Sequence, residues 1–85
     1  MSEDDRRKRM RYRAWHRGTK ESAIILGSFA DDRLKTLDAE GLDAFEVLLD
    51  VPDPVIYDGV IGRAPIPDEM NTPLMRELLA FKIKL

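Results

Sequence analysis

The sequence predicts an all-α fold, a single small domain built as a bundle of about five short helices. Apolar residues recur at three- and four-residue spacings along the chain, and no stretch shows a convincing alternation of period two. The glycines and prolines cut the chain into pieces of short-helix length. With 85 residues, 44% of them hydrophobic and 35% charged, the chain can bury one thin core and has little room for a deep substrate cavity.

The first helix is expected over about residues 4–17. Met10, Ala14 and Trp15 can reach a core there, and arginines occupy the rest of its surface. Its apolar stripe is thin. The second opens after Thr19, an N-cap candidate, with Glu21 in the first turn where a negative charge suits the helix dipole; Ile25, Leu26, Phe29 and Ala30 give its buried spacing. Asp38 is the N-cap candidate for the third, which carries Leu42, Phe45, Leu48 and Leu49 and must end before Pro52. Asp53-Pro54 restarts a helix with proline at its first position, lined by Ile56, Tyr57, Val60 and Ile61 and stopped at Gly62. Residues 63–71, with prolines at 65 and 67, form a connecting loop. Thr72 or Asn71 then caps a last helix that begins at Pro73 and presents Leu74, Leu78 and Phe81, widened by Met75, Leu79 and Ile83. Connections this short make sequential helices roughly antiparallel neighbours.

Charge is unevenly distributed under the net −2. Residues 1–20 hold eight Lys and Arg against three Asp and Glu, while the rest of the chain holds six against thirteen. The chain has no cysteine and one histidine, His16. That excludes disulfides, thiolate nucleophiles and the common zinc sites, so no metal is expected. The glycines are too dispersed for a phosphate loop. Asp31-Asp32 and Asp68-Glu69 are adjacent carboxylates that do not face each other on a helix, and His16 has no nucleophile partner at a recognisable spacing. The absence of a catalytic constellation favours a protein that acts through another protein rather than an enzyme. No apolar run is long enough to span a bilayer, and the acidic Glu3, Asp4 and Asp5 argue against a transit peptide, so a cytoplasmic, bacterial-type protein is expected.

The stretch HRGTKE, His16 to Glu21, admits two readings. In one it connects two helices: Gly18 takes the left-handed conformation that closes the first helix, Thr19 caps the second, and the charges flank the turn. That reading leaves Arg17 unexplained. In the other the turn is a contact surface, with Gly18 admitting a partner's backbone, Arg17 offering an exposed fork of donors and Glu21 two acceptor oxygens. On this reading Arg17 contributes little to the fold. The run RRKRMRYR upstream, with Tyr12 and Trp15 interleaved, has the composition of a nucleic-acid contact. The acidic body and the pI of 5.3 argue against that use. A solvated helix face, or an electrostatic guide toward an acidic partner, is the expected role.

The order of features resembles the succinate dehydrogenase assembly factors, the flavinylation factors, whose hallmark is an Arg-Gly-x-x-Glu motif. Arg17, Gly18 and Glu21 match it. The likeness continues through Ile24 to Phe29, through Phe45-Glu46-Val47-Leu48-Leu49-Asp50, and through Asp53-Pro54-Val55-Ile56-Tyr57-Asp58, and so covers roughly residues 10–62. Two positions depart from the family pattern. Ala23 stands where an acidic residue is usual, and Gly59 stands where tryptophan is common, at a cost of about 1 kcal/mol to a helix relative to alanine.

The resemblance implies a five-helix assembly factor, or dedicated chaperone, that is not itself the catalyst. It would bind the flavoprotein subunit of succinate dehydrogenase, with the fumarate reductase subunit as a further client, and promote that subunit's covalent attachment of FAD. The FAD would belong to the client, with none stably bound by this chain, which would act as a monomer. Arg17, Gly18 and Glu21 would be the partner-binding residues, with His16 and Lys20 as neighbours. A nucleic-acid-associated regulator, or an antitoxin-like protein using the basic helix, is the alternative. An adaptor working through the exposed apolar residues of the last helix is a third possibility.

Overall fold

A computed structural model describes residues 2–81 of the protein. Five helices follow one another: α1 Glu3–Trp15, α2 Lys20–Arg33, α3 Ala39–Leu49, α4 Asp53–Val60 and α5 Pro73–Ala80. Short 3-10 turns lie at Leu34–Thr36 and Asp68–Met70, and no strand occurs among the described residues. α1 ends at Trp15 with His16 as its cap, two residues before the expected end at Arg17. Ile83, expected on the last helix, lies outside the described residues.

Local chemistry sets most of the boundaries. The hydroxyls of Ser2, Thr19 and Thr72 and the carboxylate of Asp38 each accept a hydrogen bond from the backbone N–H three residues on, which satisfies a donor that the first helical turn leaves unpaired. Pro52 caps α4, with Pro54 in its first turn. Beyond α4, Gly62 adopts φ 77°, a left-handed conformation that glycine tolerates and that closes the helix.

The core joins Ile25, Leu26, Phe29 and Ala30 of α2 to Leu42, Phe45, Leu48 and Leu49 of α3, to Ile56 of α4 and to Leu74, Met75 and Leu78 of α5. Phe29 stacks on Phe45 at 6.0 Å and meets Phe81 edge-on at 5.3 Å. Ile61 and Leu79, expected on the buried faces, are exposed. Gly59, which breaks the family pattern, has a packing role: Ile66 of the 63–71 loop occupies the space that a side chain at 59 would need. The loop therefore folds over α4.

α1 attaches differently. Only Met10 and Ala14 of this helix are buried. Trp15 lies against Gly27, where any Cβ would collide with the indole ring. The remaining links are polar. Arg6 bonds Asp43 at 2.5 Å and Glu46 at 3.1 Å, and Arg7 donates to the carbonyls of Leu34 at 2.9 Å and Leu37 at 2.7 Å. Arg11 reaches Asp31 at 2.5 Å, and Arg13 reaches Asp50 at 3.0 Å. The hydrogen bond to Asp43 holds the Arg6 pKa above its ordinary value, with Glu46 adding to the effect and desolvation opposing it. Much of the basic run is thus bonded to the acidic body of the same chain, which corrects the expectation of a solvated face. Lys8, Lys20 and Lys35, by contrast, make no ion pair among the described residues.

Candidate functional site

The turn between α1 and α2 is fixed from across the chain. The Arg17 side chain is 11% exposed and packs under the junction of α3 and α4. Its Nε donates to Asp53 Oδ1 at 2.7 Å, one terminal nitrogen donates to the Leu49 carbonyl and the other to the Val51 carbonyl at 2.6 Å. Those carbonyls lie at the C-terminal end of α3, where helical geometry leaves acceptors without intrahelical partners and where a positive charge suits the dipole. Arg17 therefore supplies a C-terminal cap from a distant segment. It is not the exposed fork of donors that the contact reading expected, and its removal should cost the fold more than an exposed pair would.

Asp53 completes the arrangement. One carboxylate oxygen takes the bond from Arg17 and the other accepts the Gly18 N–H at 2.8 Å, while the Asp53 carbonyl accepts the buried Ser22 hydroxyl at 3.3 Å. A single residue at the start of α4 thus holds both ends of the turn. A Cβ built at Gly18 would stand 2.9 Å from Asp53 Oδ2. A side chain here would force the Asp53 carboxylate to move off the Gly18 N–H. The left-handed conformation expected of Gly18 is absent, since Gly62 alone has positive φ among the described residues.

The other predicted residues lie around this locked point. Gly18, Lys20 and Glu21 are exposed, and Glu21 makes no ion pair or side-chain hydrogen bond among the described residues. His16 stacks on Tyr12 with ring centres 3.8 Å apart, and its Nδ1 lies 2.8 Å from the Tyr12 carbonyl. The carbonyl can only accept, so Nδ1 carries the proton. A shallow groove of about 430 Å³ runs from Tyr12 and Arg13 past His16 and Gly18 to Pro52 and Asp53. The structure brings Arg17 and Gly18 together through Asp53 and leaves Glu21 and Lys20 beside them. In the sequence Asp53 stands out as a helix start and as part of a block shared with the family, with no sign of a bond to the turn. A cue lay in Arg17, whose charge the helix-connection reading could not explain, but nothing local linked it to a carboxylate 36 residues away.

Among the described residues, no group of His, Cys, Asp and Glu could hold a metal ion, and no helix is long and apolar enough to cross a membrane. Fold and site together define a class of protein: a small helical domain that displays a turn rigidified from beneath by a guanidinium and a carboxylate. The chain belongs to the family described as flavinator of succinate dehydrogenase, whose model matches residues 8–82. It is 42% identical over 74 residues to the FAD assembly factor SdhE of Acetobacter pasteurianus, covering 87% of this chain and 68% of that protein. The mitochondrial succinate dehydrogenase assembly factor 2 of Dictyostelium discoideum is 33% identical over 70 residues, and that of Cryptococcus neoformans 40% over 73. The matched residues make up 82% and 85% of this chain but 50% and 42% of those mitochondrial proteins.

Proposed function

We propose that the protein is a cytoplasmic, monomeric assembly factor that binds the flavoprotein subunit of succinate dehydrogenase, and that of fumarate reductase as a further client, and promotes covalent attachment of FAD to it. The observation that carries this reading is the locked turn of a chain in the flavinator family: an exposed glycine beside Lys20 and Glu21, which make no ion pair among the described residues, on a support bonded at several atoms. A rigid turn meets a partner with little ordering cost. The client holds the FAD and supplies the bond-forming groups. The factor contributes preorganisation, and fixing reacting groups relative to one another is worth several kcal/mol of barrier. Gly18 and Glu21 form the contact with His16 and Lys20 beside them, and Arg17 holds the contact from below. The nucleic-acid reading loses support because Arg6, Arg7, Arg11, Arg13 and Arg17 are engaged within the chain.

Glu21→Ala tests the contact. With no partner to lose among the described residues, the variant should melt as the parent does, while loss of a charge-assisted contact at a desolvated interface weakens binding by more than about tenfold. The readout is in-gel flavin fluorescence of the flavoprotein subunit, co-expressed with either form in cells lacking the endogenous factor. A folded Glu21→Ala protein that restores covalent flavin as fully as the parent would rule out Glu21 as a contact.

A further inference from the structure

We infer that Asp53 is a positioning residue for the partner-binding turn, and that the working motif therefore spans two segments, residues 17–21 and Asp53. This inference rests on the function proposed above. It starts from a geometric fact: the two oxygens of one carboxylate serve different residues of the turn. Oδ1 at 2.7 Å from Arg17 Nε sets the guanidinium, and Oδ2 at 2.8 Å from the Gly18 nitrogen sets the peptide plane at the exposed glycine. The Asp53 side chain is 15% exposed, so water competes poorly for these bonds. Its backbone adds the Ser22 bond, which ties the first turn of α2, and with it Glu21, to the same point.

A carboxylate at the first position of a helix is ordinarily explained by the dipole or by capping the helix's own N–H groups. Asp53 lies in the field of the dipole, but it does not cap its own helix. No N–H of α4 is bonded to its carboxylate, and both oxygens turn outward onto the α1–α2 connection. Arg17 is committed in the same way: besides Asp53 it binds the carbonyls of Leu49 and Val51. Neither group is arranged to give its charge to a partner. Together they fix where the Gly18 peptide and the start of α2 stand, and displacing such a contact by about 1 Å can cost a hundredfold in rate even when the mutated residue is remote from the chemistry.

The test uses Asp53→Asn and Asp53→Glu in the full chain. Asparagine keeps the size but offers one acceptor in place of two. Glutamate keeps the charge but sets the carboxylate one methylene further out. Each is compared with a core variant, Ile56→Val, assayed at temperatures where circular dichroism shows all proteins fully folded. Two quantities are read: amide hydrogen exchange at Gly18, and covalent flavin on the co-expressed flavoprotein subunit. Positioning predicts faster exchange at Gly18 and about tenfold or greater loss of flavin attachment in both Asp53 variants, with neither change in folded Ile56→Val. If either folded Asp53 variant attaches flavin at the parent rate, or if folded Ile56→Val loses as much, Asp53 is only a stabilising residue and the inference is overturned. Failure of the parent protein itself to support flavin attachment would instead refute the proposed function, so the two failures are distinct.

Discussion

Arg13 and Arg17 stand one helical turn apart in sequence, and each reaches an aspartate at the α3–α4 junction, yet their surroundings differ. The Arg13–Asp50 pair is 45% and 71% exposed, whereas the Arg17–Asp53 pair is 11% and 15% exposed. Water screens the first pair and competes for its bonds, so that interaction is worth roughly 0–1 kcal/mol. The second is desolvated and bonded at several atoms, so removing one partner leaves a charge and carbonyls stranded in a low dielectric, at a cost of roughly 3–5 kcal/mol. The same two residue types thus act as surface decoration in one place and as a structural bolt in the other. Burial decides between them.

Three substitutions separate these cases. Arg17→Ala should have the largest effect, lowering the melting temperature by more than about 10 °C in a domain of this size. A shift of only a degree or two on thermal denaturation would show that the buried arrangement contributes no more than the surface pair. Arg7→Ala is intermediate. It takes a charged donor from the Leu34 and Leu37 carbonyls, of which Leu34 keeps the backbone bond from Leu37, for about 1–3 kcal/mol; because those bonds tie α1 to the rest, exchange protection should fall at the Met10 and Ala14 amides before it falls in α3. Uniform loss of protection across the chain would contradict a locally attached helix. Arg13→Ala should be nearly silent, within about 1 kcal/mol, and what it loses should vanish in 1 M salt, where the screening length is about 3 Å. A larger loss that persists at high salt would place Arg13 with Arg17.

What could be read from the sequence follows the range of each interaction. The caps at Thr19, Asp38 and Thr72 act over three residues, so their chemistry is visible in a short window, and so is the stop at Gly62. The buried faces of α2 and α3 follow from periodicity because those helices are attached by apolar contact. α1 is attached largely by guanidinium bonds to residues about 20 to 40 positions away, and local pattern carries no record of such partners. Its composition therefore suggested a surface for phosphates or for steering. At the turn, the sequence alone explains Gly18 by backbone freedom or by room for a partner, whereas in the structure its N–H is held by the Asp53 carboxylate, which a side chain would displace. The motif marks Arg17, but its structural role depends on Asp53, 36 residues on, which no local pattern links to it.

The unequal use of the two basic residue types has a practical consequence for labelling. Amine-reactive reagents at Lys8 and Lys35 meet side chains that make no ion pair among the described residues, so fluorophores can be attached there without loosening the bundle. Lys20 sits within the proposed contact, and acylating it removes a charge from that surface. Arginine-directed reagents such as dicarbonyls would act on the fastenings of α1 themselves. With Lys20, Lys82 and Lys84 replaced by arginine, amine labelling at Lys8 and Lys35 thus gives a reporter of client binding, and dicarbonyl modification of the parent chain gives a chemical means of detaching the first helix.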